Sequence, residues 1–349
     1  MLQVDIHSYT NLYKIQGLEG YESMELTLIY TIVGFGLAGI SVISNDSIQV
    51  LGVFLQSKIR WFRWYTLAAS ASLVMIITIS YGWWASGSGD ISYGRLTRIP
   101  YQPIQWYHCA APLILLLLTR IGIPVSTTFL VLSAFASTVV IEAMLIKSVL
   151  GYGIAAVVAY GVWIIIGKGM GINEKYDEIT NKRSINFWRN AVWVSSGYLW
   201  ATWLMHDVAN IAVYLPRQLN VPLLLIVLVY FTILLFYIFY RRGGKIQDVI
   251  ITKTGTRFAR SATIINTIYA LVLWYFKELN NLPLSTTWIF VGLLTGRELA
   301  ISSINKDYKF KYIFPLVGKD FLKMIFGLSV SVTIVLVIHF IIIPNQIGL

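Results

Sequence analysis

The chain has 349 residues, 57% hydrophobic and 12% charged, with a formal net charge of +11. Runs such as VPLLLIVLVYFTILLFYIFY over 221–240 exclude a soluble globular fold and point to an all-α polytopic membrane protein. The positive balance does not imply a nucleic-acid partner, because lysines and arginines confined to membrane loops are explained by orientation. One cysteine, Cys109, excludes an internal disulfide and a multi-cysteine metal site.

Residues 1–23 are polar, carry both signs and lack the basic-then-apolar pattern of a signal peptide, so the first span is expected to act as the insertion signal. Apolar segments of crossing length are predicted at 24–43, 64–82, 103–121, 124–147, 151–167, 191–213, 221–240, 261–280, 283–301 and 324–343. Between them, charge collects at 167–190, 241–260 and 305–323, which read as loops. With the amino terminus outside, all of the 27 lysines and arginines fall inside except Lys14, Arg95, Arg98, Lys147, Arg217 and Lys277. That bias favours both termini outside a plasma (inner) membrane. Five crossings per half require the second half to be inverted relative to the first, a recurring transporter architecture. The expected organisation is a polar segment 1–23, a first repeat 24–167, a linker 168–190 and a second, inverted repeat 191–349.

Two pairs of motifs support the duplication. SNDSIQVLG at 44–52 is echoed by MHDVANIAV at 205–213, and IPVSTTFLV at 123–131 by LPLSTTWIF at 282–290. Asp46 and Asp207 are 161 positions apart, Ser126 and Ser285 159, so both pairs agree on one register. On a helix, Asn45, Asp46 and Gln49 sit at i, i+1 and i+4, and His206, Asp207 and Asn210 repeat that pattern. A carboxylate at this depth needs a cation, a proton or a polar partner, the alternative being a helix-end Asp among headgroups. In the second motif, Pro precedes Ser126, Thr127 and Thr128, and again Ser285, Thr286 and Thr287. Pro is tolerated in the first helical turn, where unpaired N–H groups and the positive dipole end suit an anion. The bland alternative is a helix cap.

The four motifs together resemble the inorganic phosphate transporter (PiT) family, whose halves each carry a GANDVANA-like and a PVSTTH-like motif. The chain is similar to a divergent member. VIITKTGTRFAR at 249–260 is similar to the family's VIKTVGTKI-like segment. The resemblance implies Na+- or H+-coupled symport of inorganic phosphate through two inverted repeats with re-entrant hairpins at the Ser-Thr-Thr motifs, often as a homodimer. The hairpins would turn 124–147 and 283–301 into a hairpin plus a following helix. The resemblance maps cation coupling, through Na+ ligation or protonation, onto Asp46 and Asp207. Substrate binding maps onto Asn45, Gln49, Ser126, Thr127, Thr128, His206, Asn210, Ser285, Thr286 and Thr287. The family's first Asn is His206 in the second half, its second Asn is Gln49 in the first, and its His after each triplet is Phe129 or Trp288 here. Sulfate, carried by a related branch, is the nearest competing substrate.

Other candidates carry less. His206 reads as a proton carrier, a donor to the anion or a hydrogen-bonded interior histidine, and His108 as a packed side chain. Glu142 with Arg297 and Glu298 suggests a gating ion pair, or interfacial charges. The tryptophans, Trp83, Trp84 and Trp106 among them, read as interfacial belt and packing, and GYGIAAVVAYG at 151–161 offers small residues for close helix contact. A rival function is an intramembrane enzyme using His206 with Ser126 or Ser285. Adjacent His206 and Asp207 point about 100° apart on a helix, which does not suit a hydrolase triad. A channel or receptor would leave the paired carboxylates without a coupling role. No cofactor is expected beyond the coupling ion.

Overall fold

The computed structural model describes residues 6–121, 123, 125–170, 182–244, 247, 259–279, 283–304 and 310–342. Regular structure among them is helical: α1 (Ile6–Lys58), α2 (Trp64–Ala85), α3 (Trp106–Arg120), α4 (Thr138–Met170), α5 (Lys182–Asp207), α6 (Ala209–Ala212), α7 (Val221–Tyr240), α8 (Ala259–Leu279), α9 (Thr286–Ile304) and α10 (Phe310–Val337), with π-helical turns at Thr128–Leu132 and Ile338–Ile342. Among the described residues, five stretches are long and apolar enough to cross a bilayer: Met24–Lys58, Trp64–Ala85, Thr138–Ile166, Val221–Tyr240 and Val317–Ile342. The chain is therefore an integral, multi-pass membrane protein. Helix α7 shows how an all-apolar helix is used. Leu224, Val227, Phe231 and Leu235 are buried against the protein, while Leu225, Ile226, Val229 and Ile233 are exposed on a face suited to lipid.

The segments predicted at 124–147 and 151–167 are not two crossings. The chain makes a short helical turn after Ser126, breaks over 133–137 and then runs as one helix, α4, from Thr138 to Met170. The prediction failed because Lys147 and Gly151 look like a loop in sequence. Lys147 is buried inside α4, and Gly151 meets a neighbouring helix, where an added Cβ would lie 3.0 Å from Ile289 Cγ1. The expected linker 168–190 is helical at both ends, since α4 reaches Met170 and α5 starts at Lys182. Its central residues 171–181 lie outside the described residues, as do 1–5, Pro124 and 248–258 of the VIITKTGTRFAR stretch.

Helices α4 and α9 approach each other closely at two glycines. A Cβ on Gly292 would lie 2.3 Å from the Tyr152 carbonyl oxygen, and one on Gly296 would lie 2.0 Å from that of Ala156. Pairs 152/292 and 156/296 advance together, so the two helices run in the same direction. The GLLTG spacing at 292–296 is the small-xxx-small pattern that lets backbones touch in membranes. Elsewhere, Pro112 inside α3 removes the N–H that would bond the carbonyl of His108. The Tyr214 hydroxyl donates to that carbonyl instead, at 2.8 Å, tying α3 to the segment after α6. Ser41 on α1 donates to Pro112 O at 2.8 Å. The tryptophans are only partly a surface belt. Trp84 and Trp106 are exposed, but Trp200 and Trp203 are fully buried and stacked at 5.0 Å, with Trp200 Nε1 donating to Ala71 O.

Because backbone meets backbone at Gly292 and Gly296, Gly296→Leu should force α4 and α9 apart and cost at least the roughly 1–3 kcal/mol of an overpacked core. The expected result is a clear drop in melting temperature of the detergent-solubilised protein, while Gly161→Leu on α4, where an added Cβ meets nothing within 4 Å, should be tolerated.

Candidate functional site

Each Asp motif is buried inside the helix bundle. On α1, Asn45 Nδ2 donates to Asp46 Oδ1 at 2.7 Å and to the Val125 carbonyl at 2.8 Å, the residue just before the first Ser-Thr-Thr triplet. Gln49 Nε2 approaches Asn45 Oδ1 and Asp46 Oδ1 at 3.5 Å each, one turn further along the same face. At the end of α5, Asn210 Nδ2 donates to Asp207 Oδ1 at 2.8 Å. The helix is interrupted at Val208, directly after this carboxylate, and resumes as α6.

The triplets from the two halves meet these carboxylates crosswise. Thr128 Oγ1, from the first triplet, lies 3.2 Å from Asp207 Oδ1 and 3.2 Å from the Leu284 carbonyl that precedes the second triplet. Asn210 Nδ2 also reaches Thr128 Oγ1 at 3.4 Å. Thr127 and Thr287, one from each triplet, lie beside Asp46, and Thr286 lies beside Asp207. Asp46 and Asp207 are near enough to interact with each other electrostatically. The structure thus brings together Asn45, Asp46, Gln49, Thr127, Thr128, Asp207, Asn210, Thr286 and Thr287.

The serines have a local role as well. Phe129 N–H donates to Ser126 Oγ at 3.3 Å, and Trp288 N–H donates to Ser285 Oγ at 3.3 Å, which is the geometry of a helix cap. Capping occupies the oxygen as an acceptor and leaves the hydroxyl proton to donate. Ser285 N–H is itself held by Ser148 Oγ on α4 at 2.8 Å. His206 is buried, and its Nε2 is bonded to the Leu273 carbonyl on α8 at 2.8 Å, so the interior, hydrogen-bonded reading describes its ring. Phe129 and Trp288, which stand after the two triplets, touch each other with ring centroids 5.8 Å apart.

Several buried oxygens of this cluster have no hydrogen-bond partner: Asp46 Oδ2, Asp207 Oδ2, Asn210 Oδ1 and Thr127 Oγ1. Leaving one such atom unpaired costs about 1–3 kcal/mol, and hard oxygen donors of this kind suit a hard monovalent cation or a proton. Among the described residues no group of three or more His, Cys, Asp or Glu could hold a metal ion, so amide and hydroxyl oxygens would have to complete a shell around the two carboxylates.

Sequence reasoning missed the supports. Trp203 Nε1 donates to Thr286 Oγ1 at 3.3 Å, and because an indole only donates, it leaves the Thr286 proton for Asp207. Tyr269 donates to the Thr286 carbonyl at 2.9 Å. Arg95 was expected in an outside loop, yet its side chain is 1% exposed and lies within electrostatic reach of Asp207 and Glu278. Burial pulls its guanidinium down to about 10, against the opposite pull of those carboxylates. The Arg297–Glu298 pair exists, at 2.6 Å and buried, with Arg297 over the Trp163 ring; Glu142 is exposed on α4.

No family model matches the chain, and no curated protein matches it. Among solved structures, it is similar to one described as "The sodium-dependent phosphate transporter", with a TM-score of 0.56, 16% sequence identity, and coverage of 91% of this chain and 100% of that one. At this identity the likeness is one of architecture: the chain has the fold of that transporter.

Proposed function

We propose that the chain is a secondary active transporter that carries inorganic phosphate together with Na+ or H+ by alternating access. The observation that carries this reading is the crosswise junction at the site, in which threonines of both triplets lie beside each of two buried carboxylates and Thr128 of the first triplet bonds Asp207 of the second half. The shared fold with a sodium-dependent phosphate transporter supports it.

The roles follow from charge. Two carboxylates beside an anion repel it unless each is neutralised. A sodium ion held by Asp46 or Asp207 with oxygens such as Asn210 Oδ1 and Thr127 Oγ1 would do this, as would a proton. Ser126, Ser285 and the threonines then supply neutral hydroxyl donors to the oxyanion, with Asn45, Gln49 and Asn210 orienting the carboxylates. Anion and cation each raise the other's affinity, which is the thermodynamic content of symport. The architecture that fits is two inverted repeats, 24–167 and 191–349, joined through 168–190, with re-entrant hairpins at the triplets. A homodimer in the plasma membrane with both termini outside belongs to the same reading.

Radiolabelled phosphate uptake into proteoliposomes, with sodium replaced by choline and with a pH gradient imposed or removed, tests the reading. Accumulation should require one of the two gradients; anion binding strictly independent of cation, with flux that only equilibrates phosphate whatever the gradients, would identify a channel. Asp46→Asn and Asp207→Asn should each abolish concentrative uptake while the protein remains folded, and near-normal coupled uptake by either would remove that carboxylate from the mechanism.

Phosphate should compete with the transported tracer better than sulfate does. Phe129 and Trp288 stand in contact where the family has histidines, so sulfate is kept as the second reading, and sulfate winning the competition would select it. Ser126→Ala and Ser285→Ala should each lose a donor to a charged ligand, worth roughly 1.5–3 kcal/mol, or about one to two decades in affinity. Because both act on one ligand, the double variant should deviate from additivity. Normal anion binding by both single variants would reduce the serines to helix caps.

A further inference from the structure

A cavity of about 1150 Å³ lies between α1, α7 and the stretch before α3, away from the carboxylates. Leu28, Ile32 and Phe35 of α1 form one wall, and Leu223, Ile226 and Val227 of α7 form the other. Leu28, Ile32 and Ile226 are also exposed on their helices, so the cavity opens toward the face suited to lipid. Tyr101 and Pro216, from the turns that precede α3 and α7, mark its mouth, and Gly36 and Tyr230 its inner end. There Tyr230 Oη donates to Gly36 O at 2.6 Å, and a Cβ on Gly39 would lie 2.5 Å from Tyr230 Cε1. Tyr214 Oη is engaged by His108 O and Thr31 Oγ1 by Thr27 O, each at 2.8 Å. These hydroxyls are bonded within the protein, which leaves hydrocarbon and aromatic surface for an occupant. From Met24 to Gly36 the α1 wall runs about 18 Å at 1.5 Å per residue, close to the roughly 15 Å of hydrocarbon in one leaflet.

Arg217 stands at the mouth, next to Pro216. Its Nη2 donates to the Ile99 carbonyl at 3.1 Å and approaches that of Pro100 at 3.5 Å, and its guanidinium lies 5.9 Å from the centroid of the Tyr101 ring. Its Nη1 is buried and has no hydrogen-bond partner. Asp90 lies within electrostatic reach, but its two oxygens already accept the N–H groups of Ser92 at 2.7 Å and Gly94 at 3.1 Å. Tyr101 is 62% exposed, so its ring can swing aside and open Nη1 to the mouth. The turn that carries Arg217 is itself anchored, since Leu219 N–H bonds Gly89 O at 3.0 Å and Trp83 Nε1 bonds Leu219 O at 2.8 Å.

We propose that this cavity binds one anionic phospholipid, with an acyl chain between the walls of α1 and α7 and the phosphate on Arg217. The chain enters from the bilayer and fills apolar space without desolvating a polar group, and the phosphate gives the unused side of the guanidinium fork a charged acceptor. A helix from a second copy would cover the same walls but bring no anion to Arg217. The site goes beyond the transporter reading and does not depend on it. Because α1 carries Asn45 and Asp46 about two and a half turns beyond Gly36, a lipid held here ties the helix that bears one carboxylate to α7.

The test uses the full chain, delipidated in detergent, with phosphatidylglycerol, phosphatidylcholine or inorganic phosphate added. Native mass spectrometry reads the lipid retained, and thermal melting reads its effect. The wild type should hold one phosphatidylglycerol, roughly tenfold or more tighter than phosphatidylcholine, as expected of a charge-assisted hydrogen bond, and should melt higher with it. Arg217→Gln should lose that preference while still holding either lipid. Ile32→Trp and Ile226→Trp, which fill the cavity from exposed positions, should each weaken retention of both lipids about tenfold or more, as expected when burial of several methylenes is lost. Ile233→Trp, exposed on α7 outside the cavity, should behave as the wild type. A headgroup preference unchanged by Arg217→Gln, or retention unchanged by both cavity-filling variants, would overturn the proposal and leave ordinary surrounding lipid. Inorganic phosphate alone reproducing the stabilisation in the wild type but not in Arg217→Gln would overturn it in favour of a free-anion site. A dimer that holds no lipid and that Ile226→Trp dissociates would assign the face to a second copy and overturn it likewise. None of these outcomes touches the transporter reading, which the uptake assay tests separately.

Discussion

Two carboxylates buried in one helix bundle, within electrostatic reach of each other, set the terms for everything around them. An unpaired ion in such surroundings costs several kcal/mol, and a second of the same sign adds repulsion. The chain meets this with neutral donors rather than with fixed cations in contact. Asn45 and Asn210 each donate to the Asp beside or near them, and threonines from both triplets lie beside the two carboxylates. A lysine or arginine clamped on either Asp would satisfy it permanently. Hydroxyls and amides leave one oxygen of each carboxylate open, which is what a site must do if a mobile cation is to neutralise it and later leave.

Phe129 and Trp288 close the positions after the triplets with apolar surface. Trp203 and Tyr269 hold Thr286 from opposite ends, by its hydroxyl and its carbonyl, so the second triplet is fixed in orientation by its neighbours.

Much of this was legible in the sequence, for reasons that also explain where it was not. Polar residues inside apolar runs are costly, so SNDSIQ, HDVAN and the two Ser-Thr-Thr triplets stand out, and their common register groups residues that the fold also places side by side. Hydropathy does not mark where a long apolar stretch turns. SAFAS at 133–137 breaks the chain and SVLGYG at 148–153 does not, because Gly151 is tolerated inside a helix that presses on Ile289. Charge counting sent Lys147 to a loop for the same reason, and although Arg95 does lie in a turn, a residue type cannot reveal that its side chain turns inward. The small-xxx-small spacing of GLLTG was visible and went unused, since its value depends on which helix lies opposite.

That helix is α4, and the contact has a mechanical meaning. Carbonyls of Tyr152 and Ala156 rest against the α-carbons of Gly292 and Gly296, with no intervening layer of side chains to slide or re-pack. Helices joined in this way behave as one strut, although α4 lies in the first half of the sequence and α9 in the second. Under the proposed alternating access, a motion that turns the site from one membrane face to the other would carry both together. The moving boundary would then not follow the seam between the two halves of the chain: each half contributes one helix to the shared contact, and the moving parts would be divided by space rather than by sequence.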